Sequence, residues 1–358
     1  MKKIVLTGGG TAGHVSPNIA LLPALQAAGY EIAYVGSYEG IEKKLIADFN
    51  IPYTGISTGK FRRYLDPKNF SDPFRVMKGF VEARNYLKNY QPDVVFSKGG
   101  FVSVPVVRAA ASLHIPCIIH ESDMTPGLAN KLCIPVAEKV CCNFPETMKN
   151  IPADKAVLTG SPIRAELAEG SKLAGLNMCG FTANKPVIMV IGGSLGAANV
   201  NKAVRDALPK LLEDFQVVHL CGKDKIDNLL LNTPGYKQFE YIKAELKDIF
   251  AMADIVISRA GANAICELLA LKKPNILIPL PAASSRGDQL LNAASFEAHG
   301  YSIVLNEDDI TTNLLVDKVH ELYFNRQNYV DAMSKSHQMD AVKTIMELIN
   351  AAADKKTN

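Results

Sequence analysis

The sequence has no tryptophan, no Cys-x-x-Cys pair and no long uncharged apolar run. Each absence removes a class of reading. A membrane-spanning helix needs about 20 consecutive apolar residues. The nearest approach to one, Phe101 to Ile119, is interrupted by Arg108, His114, Pro105 and Pro116. The seven cysteines are odd in number. Neither a disulfide framework nor a zinc site is expected from their spacing. They read as buried thiols acting as small hydrophobes in a cytosolic protein. The neighbours Cys141 and Cys142 lack a paired His or Cys spacing that would support metal binding or redox work. The opening residues, MKKIVLTGGG, hold too short an apolar run to be expected as a secretory signal. An excess of one charge is missing as well, with 39 Lys and Arg against 36 Asp and Glu, a net of +3. That balance argues against wholesale nucleic-acid binding but leaves room for a local basic patch.

What is present is a globular chain of 358 residues, 48% of them apolar, enough for roughly two domains with sizeable cores. Short apolar runs alternate with helical patterns. Strands are expected at Lys3–Thr7, Glu31–Gly36, Asp93–Ser97 and Ile115–His120. The rhythm restarts at Pro186–Ile191, Val217–Cys221, Phe239–Ile242, Asp254–Ser258 and Asn275–Pro279. Near-continuous apolar strands separated by helices imply parallel sheets covered on both faces. The expectation is therefore an α/β chain of two doubly wound Rossmann-like domains, over 1–163 and 164–340. Turn residues cluster at the seam, Thr159-Gly160-Ser161-Pro162. A terminal amphipathic helix is expected over Ala341–Ala353, with Asp354 to Asn358 frayed.

Each half opens with a strand, a glycine-rich loop and a helix. In the first loop Gly8, Gly10 and Gly13 fit G-x-G-x-x-G, and His14 follows. The second strand ends at Val35-Gly36-Ser37, with no carboxylate at its tip to grip the ribose of NAD. A dehydrogenase is therefore disfavoured. The loop still suits an anion at a helix N-terminus, or a tight turn alone. His14 is a polar ring where a buried turn would not need one. The second loop, Gly192-Gly193-Ser194-Leu195-Gly196-Ala197, suits a diphosphate through its amides and the Ser194 hydroxyl. A third string, Ser258 to Glu267, passes from a strand into a helix, and Glu267 falls in its second turn. A carboxylate there can accept from both hydroxyls of a ribose. Lys98-Gly99-Gly100, His120-Glu121-Ser122-Asp123, Asn130, Arg164 and Asp288-Gln289 sit at strand ends or in loops. Ligands of open α/β sheets bind at the carboxyl ends of strands. His120 and Glu121 are thus candidates for the site, or for capping and ion pairing. Finally, Lys60 to Lys88 holds eight basic and three acidic residues, a net of +5, interleaved with Phe61, Tyr64, Phe70, Phe74, Val76, Met77, Phe80 and Val81. It reads either as a solvated helix over ordinary core or as a basic-apolar face for anionic lipid.

With these strings in hand, nearly the whole chain resembles the MurG-type transferases of glycosyltransferase family 28. The carriers are GGGTAGHVSPNIAL, PDVVFSKGGFVSVP, IPCIIHESDMTPGLANK, LTGSPIR, IGGSLGAANVN, ADIVISRAGANAICEL and DQLLNA. The resemblance implies the GT-B architecture, two Rossmann-like domains facing across a cleft, with the terminal helix returning to the first. It implies an inverting transfer of N-acetylglucosamine from UDP-GlcNAc to the 4-hydroxyl of MurNAc-(pentapeptide)-pyrophosphoryl-undecaprenol, lipid I, in peptidoglycan synthesis, cell shape and division. On matching positions it implies Thr11, Ala12 and Gly13 near the transferred sugar and phosphate, and Asn130 on the sugar. Arg164 and Ser194 would hold the diphosphate, and Ile242 would meet uracil through its backbone. Ala262, Asn263, Ala264, Ile265, Cys266 and Glu267 would clamp the nucleoside, with Glu267 on the ribose. Gln289 would bind sugar hydroxyls. His14 is the first choice of general base, with Glu121 and His120 behind it. The string T-A-G at Thr11–Gly13 replaces the commoner T-G-G, and H-E-S-D-M replaces H-E-Q-N.

No cofactor or metal is expected, since UDP-GlcNAc is a substrate. Expected partners are UDP-GlcNAc, lipid I, the anionic cytoplasmic surface of the cell membrane, where the chain would be peripheral, and cell-wall synthesis or division proteins; nucleic acid is not among them. A diacylglycerol glycosyltransferase, a UDP-GlcNAc 2-epimerase and a non-catalytic nucleotide-sugar sensor remain the competing readings.

Overall fold

The computed structural model describes residues 1–59, 68–193, 197–282, 287–336 and 340–357, with the side chains of 68–73, 356 and 357 left out. The chain divides into two compact units, Met1–Arg164 with Asp340–Asn358, and Ala165–Met339.

The first unit is built on a parallel sheet of seven strands: β1 (Lys3–Thr7), β2 (Glu31–Ser37), β3 (Tyr53–Ile56), β4 (Val94–Ser97), β5 (Cys117–Glu121), β6 (Lys139–Cys142) and β7 (Ala156–Leu158). Their spatial order is β3-β2-β1-β4-β5-β6-β7. The apolar strands are buried on both faces because side chains alternate. Val5, Ala33, Val35, Val95, Cys117 and Ile119 enter one core. Ile4, Leu6, Ile32, Tyr34, Val94, Phe96 and Ile118 enter the other. The helix Lys68–Tyr90 covers the first core with Ala83 and Leu87. The helix Ser16–Ala27 covers the second with Leu21, Leu22 and Leu25.

The second unit holds six parallel strands: β8 (Val187–Ile191), β9 (Gln216–Leu220), β10 (Tyr236–Phe239), β11 (Ile255–Ser258), β12 (Asn275–Leu277) and β13 (Ser302–Val304). Their order is β10-β9-β8-β11-β12-β13. The chain direction of strand addition reverses between β1 and β4 in one sheet and between β8 and β11 in the other. Such switch points open a crevice at the carboxyl ends of the strands.

Three sequence expectations shift. The strand expected at Phe239–Ile242 is Tyr236–Phe239, because β9 ends at Leu220 and the ladder runs only from Tyr236↔Val217 to Phe239↔Leu220. Ile242 therefore lies beyond a strand end rather than inside the strand. The strands β3, β6, β7 and β13 were not expected; at three or four residues each they carry little periodicity. The terminal helix continues past Asp354, running Ala341–Thr357. Lys2 pairs with Asp354 at 2.5 Å, and Lys355 pairs with Glu138.

That terminal helix is part of the first unit's core. Ile345 and Ile349 are fully buried against the cluster of Leu21, Leu25 and Tyr30. The Tyr30 hydroxyl donates to Asn350 Oδ1 at 2.7 Å. Ile349→Ala is expected to destabilise the chain by about 2–5 kcal/mol, read as a lowered urea midpoint. An unchanged midpoint would show that the helix adds no core.

Candidate active site

In the first unit the loops after β1 and β4 lie directly on one another at the switch point. The Gly9 amide donates to the Gly99 carbonyl at 3.3 Å. A Cβ at Gly100 would collide with the Gly9 carbonyl, so no side chain fits there. Gly10 and Gly100 adopt positive φ, +86° and +84°, which L side chains rarely do. From this platform the chain enters a short turn, Ala12–His14, and then the helix Ser16–Ala27. Thr11 is exposed and His14 is half-buried. The Thr11 Oγ1 and His14 Nδ1 lie 3.0 Å apart. Ala12 and Gly13, between them, are half-buried.

The end of β5 is different in character. His120 is fully buried. Its Nε2 is 2.9 Å from the Gly160 carbonyl, which only accepts, so that nitrogen carries the proton. Nδ1 is then the acceptor for the Lys98 ammonium at 2.7 Å. Lys98, 1% exposed, also donates to Ser122 Oγ. Burial and the Lys98 charge hold the His120 imidazole well below its ordinary pKa. Glu121 is 4% exposed. It accepts from the Asp123 amide at 2.9 Å, the Gly127 amide at 3.0 Å and Asn130 Nδ2 at 2.8 Å. Burial raises its carboxyl pKa in spite of these bonds and of Lys98. Asn130 spends its amide hydrogens on Glu121 and on the His120 carbonyl, at 3.1 Å. Its Oδ1, buried beside Gly99, has no hydrogen-bond partner.

A residue that sequence reasoning missed closes the first loop from below. Glu42 is 1% exposed. It accepts from the Gly10 amide at 3.1 Å and from the Ser37 amide at 2.9 Å and hydroxyl at 2.5 Å. The signal was faint: an acid five residues beyond a strand tip, behind Gly40, looks like any first-turn acid of a helix.

In the second unit Gly192 and Gly193 follow β8, and the helix Ala198–Asp214 follows them; Ser194 lies outside the described residues. The string after β11 caps at Gly261 and forms the helix Ala262–Ala270. Ala262, Asn263, Ala264 and Glu267 are half-buried, while Ile265 and Cys266 face the core. The string is braced by contacts that its sequence does not show. Arg259 donates to the carbonyls of Ile278 and Pro279 at 3.0 and 3.2 Å and pairs with Glu307. Asn292 Nδ2 donates to the Ala260 carbonyl at 3.1 Å. Gln289 is half-buried and accepts from the Leu280 amide at 3.1 Å. Ile242 is buried just beyond β10. Arg164 is half-buried at the end of the first unit. A separate cavity, lined by Asn201, Arg205 and Lys225–Leu229, includes none of these donor-string residues. All seven cysteines are buried free thiols, and burial pushes Cys141 and Cys142 up to about 12. Among the described residues no group of three or more His, Cys, Asp or Glu side chains forms a metal site.

Residues 4–142 match the glycosyltransferase family 28 N-terminal domain, and residues 187–349 match its C-terminal domain. A UDP-N-acetylglucosamine--N-acetylmuramyl-(pentapeptide) pyrophosphoryl-undecaprenol N-acetylglucosamine transferase of Lachnospira eligens is 65% identical, over 98% of this chain and 99% of that protein. The crystal structure of Acinetobacter baumannii MurG superposes with a TM-score of 0.77 at 29% identity, covering 98% of this chain and 100% of that one. A putative UDP-N-acetylglucosamine 2-epimerase from Listeria monocytogenes shares the fold, with a TM-score of 0.72 at 13% identity, over 99% of this chain and 98% of that one.

The buried histidines set an acid response. His120 is held neutral, and so is His219, lowered to about 3 by burial and by the Arg205 charge. Both folded pKa values lie below the unfolded imidazole at about 6.5, so protons favour the unfolded chain below that pH. The contribution of the two rings should be flat above it and fall as pH drops, by up to about 1.4 kcal/mol per pH unit for each ring. Urea midpoints between pH 7.5 and 5 should show a shallower fall for His219→Gln than for the parent; equal slopes would contradict the assignment.

Proposed function

The chain belongs to glycosyltransferase family 28, and from that premise we propose that it transfers N-acetylglucosamine from UDP-GlcNAc to the 4-hydroxyl of lipid I, giving lipid II for peptidoglycan. The observation that carries this reading is the 65% identity, over nearly the full length of both chains, to a transferase named for that reaction.

The second unit, with Arg164 just before it in the sequence, is assigned the donor. Ala262 to Glu267 clamp the nucleoside, with Glu267 on the ribose hydroxyls and the Ile242 backbone on uracil. Gln289 takes sugar hydroxyls. Arg164 and Ser194 hold the diphosphate. The first unit is assigned the acceptor and the base, with Thr11, Ala12 and Gly13 near the sugar. The Asn130 Oδ1, buried without a partner, supports a contact to a sugar hydroxyl; leaving such an acceptor unmet is costly.

The muramyl hydroxyl oxygen attacks the anomeric carbon, the bond to UDP breaks, and configuration inverts from α to β. The hydroxyl proton passes to His14. For that role Nδ1–H donates to Thr11 Oγ1, and Nε2 keeps the lone pair that accepts the proton. Thr11 is then the orienting partner of the base. His120 and Glu121, saturated and buried, are assigned to positioning rather than proton transfer. Negative charge growing on UDP is met by Arg164 and the amides of the second glycine loop.

The acceptor's lipid directs the chain to the cytoplasmic face of the membrane, as a peripheral protein. No described helix is long and apolar enough to cross a membrane. In the helix Lys68–Tyr90, Phe74, Met77 and Val81 are 78%, 63% and 52% exposed. Their spacing puts them on one helix face. Exposed Arg75 and Lys78 lie beside them. An apolar ridge flanked by cations suits an anionic bilayer. Lys60, Arg62 and Arg63, also assigned to this surface by sequence, lie outside the described residues.

Incubation with labelled UDP-GlcNAc, with and without lipid I, tests the reaction. UDP and a β-linked disaccharide should form only with lipid I. Epimer formed without acceptor, or transfer to diacylglycerol instead, would overturn the reading. His14→Ala should lower kcat by about 10²–10⁴-fold; near-normal turnover would remove His14 from the role. Replacing Phe74, Met77 and Val81 by Ser should weaken co-sedimentation with phosphatidylglycerol vesicles, and unchanged binding would place the docking surface elsewhere.

A further inference from the structure

The first glycine loop has the spacing of a nucleotide-binding loop, yet a carboxylate of the chain itself lies against it. Glu42 sits between Gly10 of the loop and Ser37 at the tip of β2, bonded to both. In dinucleotide-binding sheets this is where the ribose lies, held by an acid from the strand tip. Here the strand tip is the donor, and the acid comes from the following helix, Ile41–Ile46. Two glycines crowd the same carboxylate, and a third, Gly36, crowds its stem and the Tyr53 hydroxyl. A Cβ at Gly9 would lie 2.5 Å from the Glu42 carboxyl carbon, and one at Gly36 would lie 2.8 Å from its Cγ. A Cβ at Gly40 would collide with the carboxyl group. These residues are shaped around Glu42, not around an open seat.

We propose that Glu42 is a built-in anion that fills the nucleotide seat of the first unit. It takes the Gly10 amide that a phosphate or ribose oxygen would need. It also sets a fixed negative charge where such a ligand would arrive, so the first glycine loop is closed to nucleotides. The carboxyl is ionised at neutral pH. Burial alone would raise its pKa, but the bonds from the Ser37 hydroxyl and amide and the Gly10 amide outweigh burial and hold it below its ordinary value. The same bonds fix the loop one residue before Thr11. This inference stands on the geometry of the first unit and needs neither the acceptor nor the base assigned above.

Removal of the carboxylate and its replacement from solution test the proposal on the full chain. Formate and pyrophosphate, each compared with chloride at matched ionic strength, should raise the melting midpoint of Glu42→Ala by more than that of wild type. The emptied seat then takes either anion. Glu42→Gln, which keeps the seat filled without charge, should show no extra response and should melt below wild type at pH 7.5. Equal responses of wild type and Glu42→Ala would overturn the proposal. If Glu42→Ala does not fold, Glu42→Gln decides alone: a midpoint equal to that of wild type at pH 7.5 would overturn the proposal as well.

Discussion

The first unit depends on the contact between two loops that leave no room for a side chain. The Gly9 amide meets the Gly99 carbonyl, and Gly100 faces the Gly9 carbonyl with no space for a Cβ. This close approach is what allows β1 and β4 to be neighbours at the point where the strand order reverses. It also decides where each polar group lies. The loop after β1 is held so that Thr11 and His14 follow at once. The loop after β4 brings Lys98 under Gly8 and beside the end of β5.

Around that contact, buried charges are placed by hydrogen bonds rather than by solvent. Lys98 is held by His120 and Ser122. Glu121 takes two backbone amides and one side-chain amide. Glu42 takes two amides and a hydroxyl. A buried charge without such partners is strongly disfavoured. These networks therefore specify the loop shapes as firmly as the apolar cores specify the sheets. They also sort the polar residues by task. Saturated groups hold geometry, while the Asn130 Oδ1 is buried without a partner. The second unit repeats the principle, with Arg259 and Asn292 bracing the string that runs from Ala260 into the helix Ala262–Ala270.

Much of the fold was legible because parallel strands buried on both faces write themselves as apolar runs. Lys3–Thr7 and Val187–Ile191 are plain in the sequence for that reason. The short strands β6 and β7 were not, since three or four residues show no period. The end of β10 depended on where its partner β9 stops, which no local pattern records. The glycine loops and the Ala262–Glu267 string were legible from residue type and order. Glu42 was not, because its meaning comes from a fold-back onto Ser37 and Gly10, 5 and 32 residues away. The different settings of His120 and His14 were equally hidden, since exposure, not residue type, separates them.

The central claim is a division of labour, with the nucleoside held by the second unit and the first glycine loop closed to it by Glu42. Hydrogen exchange of the full chain with and without UDP tests this most directly. The account predicts that UDP slows exchange in residues 258–267 and 288–292 while residues 8–14 and 37–42 exchange as before. Slowing at residues 8–14 and 37–42, with none at 258–267, would contradict it.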